Sequence, residues 1–215
     1  MGVIDHNKII KKVATEILNS YGIYRKGQSR TYIDDNGWFI NVIEFQPSRW
    51  DKGSYLNIGI NFNWYLQEYF SFDIGYRESY FTKFIDEKQF TEYINDLCVK
   101  SIKKLTEYRN NLKNLKEAEK LILKHNFTSD NFWGNYHKGI ISGLVYNINN
   151  LNKYFSKILN ENDENIGWRI ELKNKTNELR KIANDDINKF REKIIDLIKD
   201  TRKLKKLDEN VVIIL

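Results

Sequence analysis

A chain of 215 residues, 41% apolar and 14% aromatic, is long enough for one or two domains with a buried core. No apolar run approaches the roughly 18 residues of a membrane span, and the start has no signal-peptide core, so the expected location is cytoplasmic. The single Cys98 excludes an internal disulfide and a thiol metal centre. Of the formal net charge of +6, residues 1–112 carry 15 Lys+Arg against 14 Asp+Glu; residues 113–215 carry 20 against 15. A basic second half suits acidic partners or phosphate, although a solvated helix surface has the same composition.

In chain order, residues 5–21 read as a helix capped by Asp5, with Ile9, Ile10, Val13, Ile17 and Tyr21 on one face and Gly22 as its stop. The period then changes to two. Asn36-Gly37 between β-prone runs predicts a hairpin with a type I′ turn. Leu56, Ile58, Ile60, Phe62 and Trp64 alternate with Tyr55, Asn57, Gly59, Asn61 and Asn63, which predicts a strand with one buried and one polar face. Residues 69–77 read as a fourth strand with Phe70, Phe72 and Ile74 inward, completing an antiparallel meander.

Helical periodicity returns after Asp86, with Phe90, Ile94, Leu97, Ile102, Leu105 and Leu112 on one face and a break expected near residues 109–114. The fold class is therefore α+β: an N-terminal helix, an antiparallel meander of about four strands and a covering helix, then an all-helical half. The expected domains are 1–112, able to fold alone, and 113–215. In the second, Ser129 or Asp130 caps a helix with a seam from Trp133 to Ile158, in which Gly139 and Gly143 allow close approach. Residues 160–165 form a polar break. Ala183, Ile187, Phe190, Ile194, Leu197, Thr201 and Leu204 make a heptad stripe, expected to pair within the chain. The terminal run 211–215, Val-Val-Ile-Ile-Leu, needs packing or pairing.

Recognisable catalytic constellations are lacking. His6, His125 and His137 are far apart, with no thiol or carboxylate at ligand spacing. P-loop, dinucleotide and nucleophile-elbow motifs do not occur. His137 reads as a core-edge residue and Cys98 as a small buried apolar group. The remaining cluster comprises Arg25, Lys26, Arg30, Gln46, Ser48, Arg49, Trp50 and Arg77. Guanidinium forks converging at one sheet end would hold an anion or an acidic side chain. Alternatively, Arg49 and Arg77 pair with Asp51, Asp73 or strand-end carbonyls and fix a corner, with Pro47 ending a strand and Trp50 capping the apolar end of the sheet.

The segments YGIYRKGQSRTYI, INVIEFQPSRW, YLNIGINF and FSFDIGYR, in this order, resemble an uncharacterised bacterial domain-of-unknown-function family over residues 5–112. The matching positions are Gly22, Arg25, Lys26, Gln46, Ser48, Arg49, Trp50, Asn57, Gly59, Gly75, Tyr76 and Arg77. Pro47 and the helical extension depart from that pattern. The resemblance implies a fold and a candidate surface, with no reaction. The abundance of Asn, Lys and Ile matches an AT-rich genome, such as that of a low-GC bacterium or its phage.

The leading expectation is a non-enzymatic interaction protein with a protein partner, in the manner of an immunity, inhibitor or counter-defence factor. The second is a phosphate-ligand module using Arg25, Arg30, Arg49 and Arg77. The third is a nucleic-acid-binding protein using the basic helical half. No cofactor, metal or membrane partner is expected.

Overall fold

The computed structural model describes residues 5–127, 131–162 and 166–215. Its contacts divide the chain into two units: Met1–Phe62 with Tyr69–Asn110, and Asn63–Glu68 with Asn111–Leu215. The fold is α+β. Among the described residues no helix is long and apolar enough to cross a membrane.

In the first unit, helix α1 (His6–Asn19) starts where the Asp5 carboxylate accepts the Asn7 N–H at 3.0 Å. Gly22, at φ 72°, turns the chain away after it. Its buried face is Ile9, Ile10, Ala14 and Leu18. The expected Val13–Ile17–Tyr21 stripe is displaced, since Tyr21 lies past the helix end and is exposed. Small Ala14 lets the helix approach the sheet, where Tyr32 Oη and Thr15 Oγ1 stand 3.1 Å apart.

Five strands follow in sequential antiparallel order: β1 (Tyr24–Arg25), β2 (Thr31–Asp35), β3 (Phe39–Gln46), β4 (Gly53–Phe62) and β5 (Ile74–Arg77). A two-residue β6 (Thr82–Lys83) pairs with the start of β4. The β2–β3 hairpin forms at Asn36-Gly37, but its turn is not type I′: only Gly37 takes positive φ, at 79°. Asn36 instead donates its amide to Asp34 O, and the Asp35 carboxylate accepts the Gly37 N–H. The fourth strand is shorter than its apolar pattern suggests. Residues 69–73 stay outside the ladder, and Phe70 and Phe72 are half-buried.

Strand β4 has no exposed polar face. Asn57 and Asn61 are fully buried, because segment 70–73 folds over them. A Cβ on Gly59 would lie 2.7 Å from the Phe72 ring. The amide nitrogens are paired: Asn57 Nδ2 donates to Glu44 Oε2 at 2.7 Å, and Asn61 Nδ2 to Ser71 Oγ at 2.6 Å. The opposite face carries the apolar core of Ile43, Phe45, Ile58 and Ile60. There Asp34, itself buried, accepts a bidentate fork from Arg109 of α2 (Glu87–Asn111), both bonds at 2.8 Å. The Asp34 hydrogen bonds raise the pKa of Arg109.

In the second unit, the break after α2 falls where expected. Asn114 caps α3 (Leu115–Lys124) by accepting the Glu117 N–H. The expected Ser129 or Asp130 cap lies outside the described residues. The anticipated helix from 133 to 158 is two helices, α4 (Asn131–Leu144) and α5 (Ile148–Leu159). Tyr146 at φ 65° reverses the chain, and Asn147 caps α5. Apolar periodicity runs through this corner because both helices bury the same kind of stripe. Gly139 and Gly143 are close-contact points: a Cβ on either would fall 2.2 Å from Phe155 or 2.4 Å from Phe190.

The heptad stripe is also divided. Ala183 lies in the last turn of α6 (Gly167–Asp185), and Asp186 caps α7 (Ile187–Leu204) by accepting the Asn188 N–H. Phe190, Ile194, Leu197 and Thr201 are buried, whereas Leu204 is exposed. Helix α7 packs against α4 and α6 of its own chain. The terminal run is not a strand; it lies along α7 with Val212 and Ile214 exposed.

Residues 63–68 belong to this helical unit. Trp64 is fully buried and donates Nε1–H to His137 Nδ1 at 2.9 Å. Trp64 O accepts from the Tyr136 hydroxyl, Tyr65 O from Thr201 Oγ1, and Asn63 Oδ1 from Lys205 Nζ.

Candidate functional site

The eight polar and aromatic residues of the sequence cluster fall into three groups. The first is a cleft of about 440 Å³ between α1 and β2, whose walls include Lys8, Lys11, Arg25, Arg30, Glu44 and Pro47. Arg25 closes its own loop, donating Nε–H to Ser29 O at 2.7 Å and NH2 to Gln28 O at 2.5 Å. Arg30 is half-buried and donates to Phe45 O, Gly53 O and Asn7 Oδ1. Its NH2 also lies 3.0 Å from His6 Nε2. A guanidinium has no acceptor, so His6 Nε2 must be unprotonated in that contact. Burial lowers the pKa of His6, the nearby Arg30 charge lowers it further, and Asp5 opposes both. Burial likewise lowers that of Arg30. Lys26 points elsewhere, its Nζ 6.0 Å from the Phe70 ring centre.

The second group is structural. Gln46 Oε1 accepts from Asn57 Nδ2 and from Arg77 NH2 at 2.8 Å. The Arg77 guanidinium stacks 4.0 Å over the Tyr55 ring. Arg77 thus braces β3, β4 and β5, using Gln46 rather than the expected Asp73. Asp73 instead accepts the Phe62 N–H at 2.7 Å.

The third group is the corner at 47–52. Ser48 Oγ accepts the Trp50 and Asp51 N–H groups and shapes the turn. Asp51 pairs with Lys83 at 3.0 Å rather than with Arg49. Among the described residues Arg49 has no hydrogen bond or ion pair, so it does not lock the corner. Trp50 does not cap the sheet. It is 91% exposed, because the turn at Ser48 carries it beyond the end of the ladder.

This corner is fastened to the segment that follows β5. Phe84 N–H donates to Lys52 O at 2.9 Å, and Gly53 pairs with Lys83. Only glycine fits at 53: φ is 153°, and a Cβ would meet Thr82 O at 2.1 Å. The pairing brings to the same sheet edge Tyr80, 95% exposed, and Ile85, 72% exposed. Sequence reading missed both residues, since a two-residue strand such as β6 has no periodicity to detect. An aromatic and an apolar residue in a charged loop, SYFTKFIDE, was the available signal.

The remaining titratable candidates are enclosed. Burial pushes the Cys98 thiol up to about 12, far from a reactive thiolate. His137 lies between Trp64, Trp133 and Phe127. Among the described residues, no group of three His, Cys, Asp or Glu side chains could hold a metal ion. Comparison of the chain with protein-family models, with curated proteins and with solved structures found no match.

Proposed function

We propose that the protein is a non-catalytic interaction protein that binds an acidic protein surface through the edge made by Arg49, Trp50, Lys52, Tyr80 and Ile85. The observation that carries this reading is Trp50, 91% exposed on a corner fixed by Gly53 and the Asp51–Lys83 pair. Trp, Tyr and Arg dominate the energetics of protein interfaces, and a rigid mount lowers the entropy lost on binding. Arg49 and Lys52 have no carboxylate partner among the described residues, which favours a partner that brings carboxylates. Stoichiometric occupation of a partner, as by an inhibitor or immunity factor, is the corresponding role.

A photo-crosslinking residue at position 50 of the full chain tests this. Capture of one protein is expected, lost on Arg49→Glu or Tyr80→Ala with the melting temperature unchanged. Capture that survives both changes would overturn the assignment of the edge.

Nucleic-acid binding is the second reading, favoured by Lys138, Lys153 and Lys157, whose ammonium groups lie 5.4–5.9 Å from the Tyr154 ring centre. It requires oligonucleotide affinity that falls steeply with salt and is lost on Lys157→Glu.

A further inference from the structure

The cleft between α1 and β2 has a charge distribution that its structural role does not explain. Lys8 and Lys11 face it from α1, Arg25 from β1 and Arg30 from the bend just before β2. Among the described residues, none of the four makes an ion pair. The acceptors used by Arg25 are backbone carbonyls; those of Arg30 are carbonyls, the Asn7 amide oxygen and neutral His6. Such groups satisfy the N–H donors and fix the forks in place without neutralising the charge; the Asp5 carboxylate acts on Arg30 and Lys8 from outside the cleft and, among the described residues, forms no ion pair with either. Glu44 is the one carboxylate on the cleft wall, and it already accepts the Asn57 amide at 2.7 Å. Four cations therefore face one carboxylate across a cavity of about 440 Å³. That size suits a small ligand and is too small for a folded partner.

We propose that this cleft binds a small polyphosphate anion, such as the diphosphate group of a nucleotide. Two forks anchored by the backbone and two mobile ammonium groups match a ligand with several negative oxygens. A single carboxylate would leave most of the charge unpaired. The desolvated guanidinium of Arg30, with its lowered pKa, gains most from an anion in the cleft. This site is separate from the Trp50 edge: Arg49 and Trp50 do not line it, and either reading can fail without the other.

The test uses the full chain and inorganic pyrophosphate, with sodium chloride at matched ionic strength as the control. Calorimetry should give one site per chain, and pyrophosphate should raise the melting temperature where chloride does not. The Lys8→Gln/Lys11→Gln double variant, on the exposed face of α1, should weaken binding tenfold or more, in the range for loss of charge-assisted bonds. Arg25→Lys, which retains the charge but loses the fork, should weaken it by a smaller factor. Lys138→Ala and Lys157→Ala, at the separate basic cavity beside Tyr154, should leave it unchanged.

Absence of binding, or binding insensitive to the double variant, would overturn the proposal. So would loss of binding on Lys138→Ala. A short single-stranded oligonucleotide that binds more tightly than pyrophosphate or a nucleoside diphosphate, with a steep salt dependence, would replace the small ligand by nucleic acid.

Discussion

Strand β4 carries a tryptophan beyond each end, and the two have opposite environments. Trp64 is fully buried, its N–H paired with His137 and its carbonyl with Tyr136. Trp50 is 91% exposed on a turn that is itself firmly held. A buried indole whose one polar atom is satisfied contributes to stability. An exposed indole on a rigid mount contributes almost nothing to the fold and is available for binding. Residue type is the same at the two positions; partners 72 and 73 residues away enclose Trp64, whereas the turn at Ser48 leaves Trp50 outside.

Substitutions can break this contrast, beginning with the largest effect. Trp64→Ala should cost about 3–5 kcal/mol, the range for deleting a large core aromatic, read as a lower denaturant midpoint. A loss below about 1 kcal/mol would mean that the site collapses or that the segment is loosely held. Lys205→Ala should cost about 1–3 kcal/mol, because the hydrogen bond from its buried ammonium to Asn63 Oδ1 is lost. An unchanged midpoint would remove Lys205 from the structure that holds residues 63–68.

The Gly53 end of β4 should respond to pH through His6, whose partner Arg30 donates to Gly53 O. His6 has a folded-state pKa below the ordinary 6.5, so the unfolded chain takes up its proton first. Its contribution is complete above about pH 6.5 and is lost as the pH falls from there through the lowered folded value. His6→Asn should flatten the wild-type decline in stability between about pH 7 and 5. Equal slopes for the two proteins would show that other groups cause it. The smallest effect is Trp50→Ala, expected within about 0.5 kcal/mol of wild type. A larger loss would show that the indole supports the corner.

Legibility in the sequence followed the range of the interaction that decides each feature. The Asp5 cap, the Gly22 stop, the Asn36-Gly37 hairpin and the break after α2 are set by neighbouring residues and could be read directly. The sequential antiparallel meander was legible for the same reason: short connections leave few topologies. Burial of Asn57 and Asn61 was not, because it depends on segment 70–73 folding back over Gly59. At the candidate site, the position of Arg49 and Trp50 at a corner between strands was readable, but the surroundings of their side chains were not. Arg77 takes Gln46, 31 residues away, in place of a nearby aspartate. Periodicity also joined α4 to α5 and Ala183 to α7, since it records which residues are buried and not where the chain reverses.

The split composition of the helical unit sets a clock on its assembly. Residues 63–68 leave the ribosome early, yet their hydrogen-bond partners lie 72 to 142 residues later in the chain. At about 5–20 residues per second, that separation is several to tens of seconds of synthesis. Until residues 136 and 137 have been made, the nascent chain carries Trp64 without the Tyr136 and His137 that bond it. The segment is thus the last part of the early sequence to reach its final place.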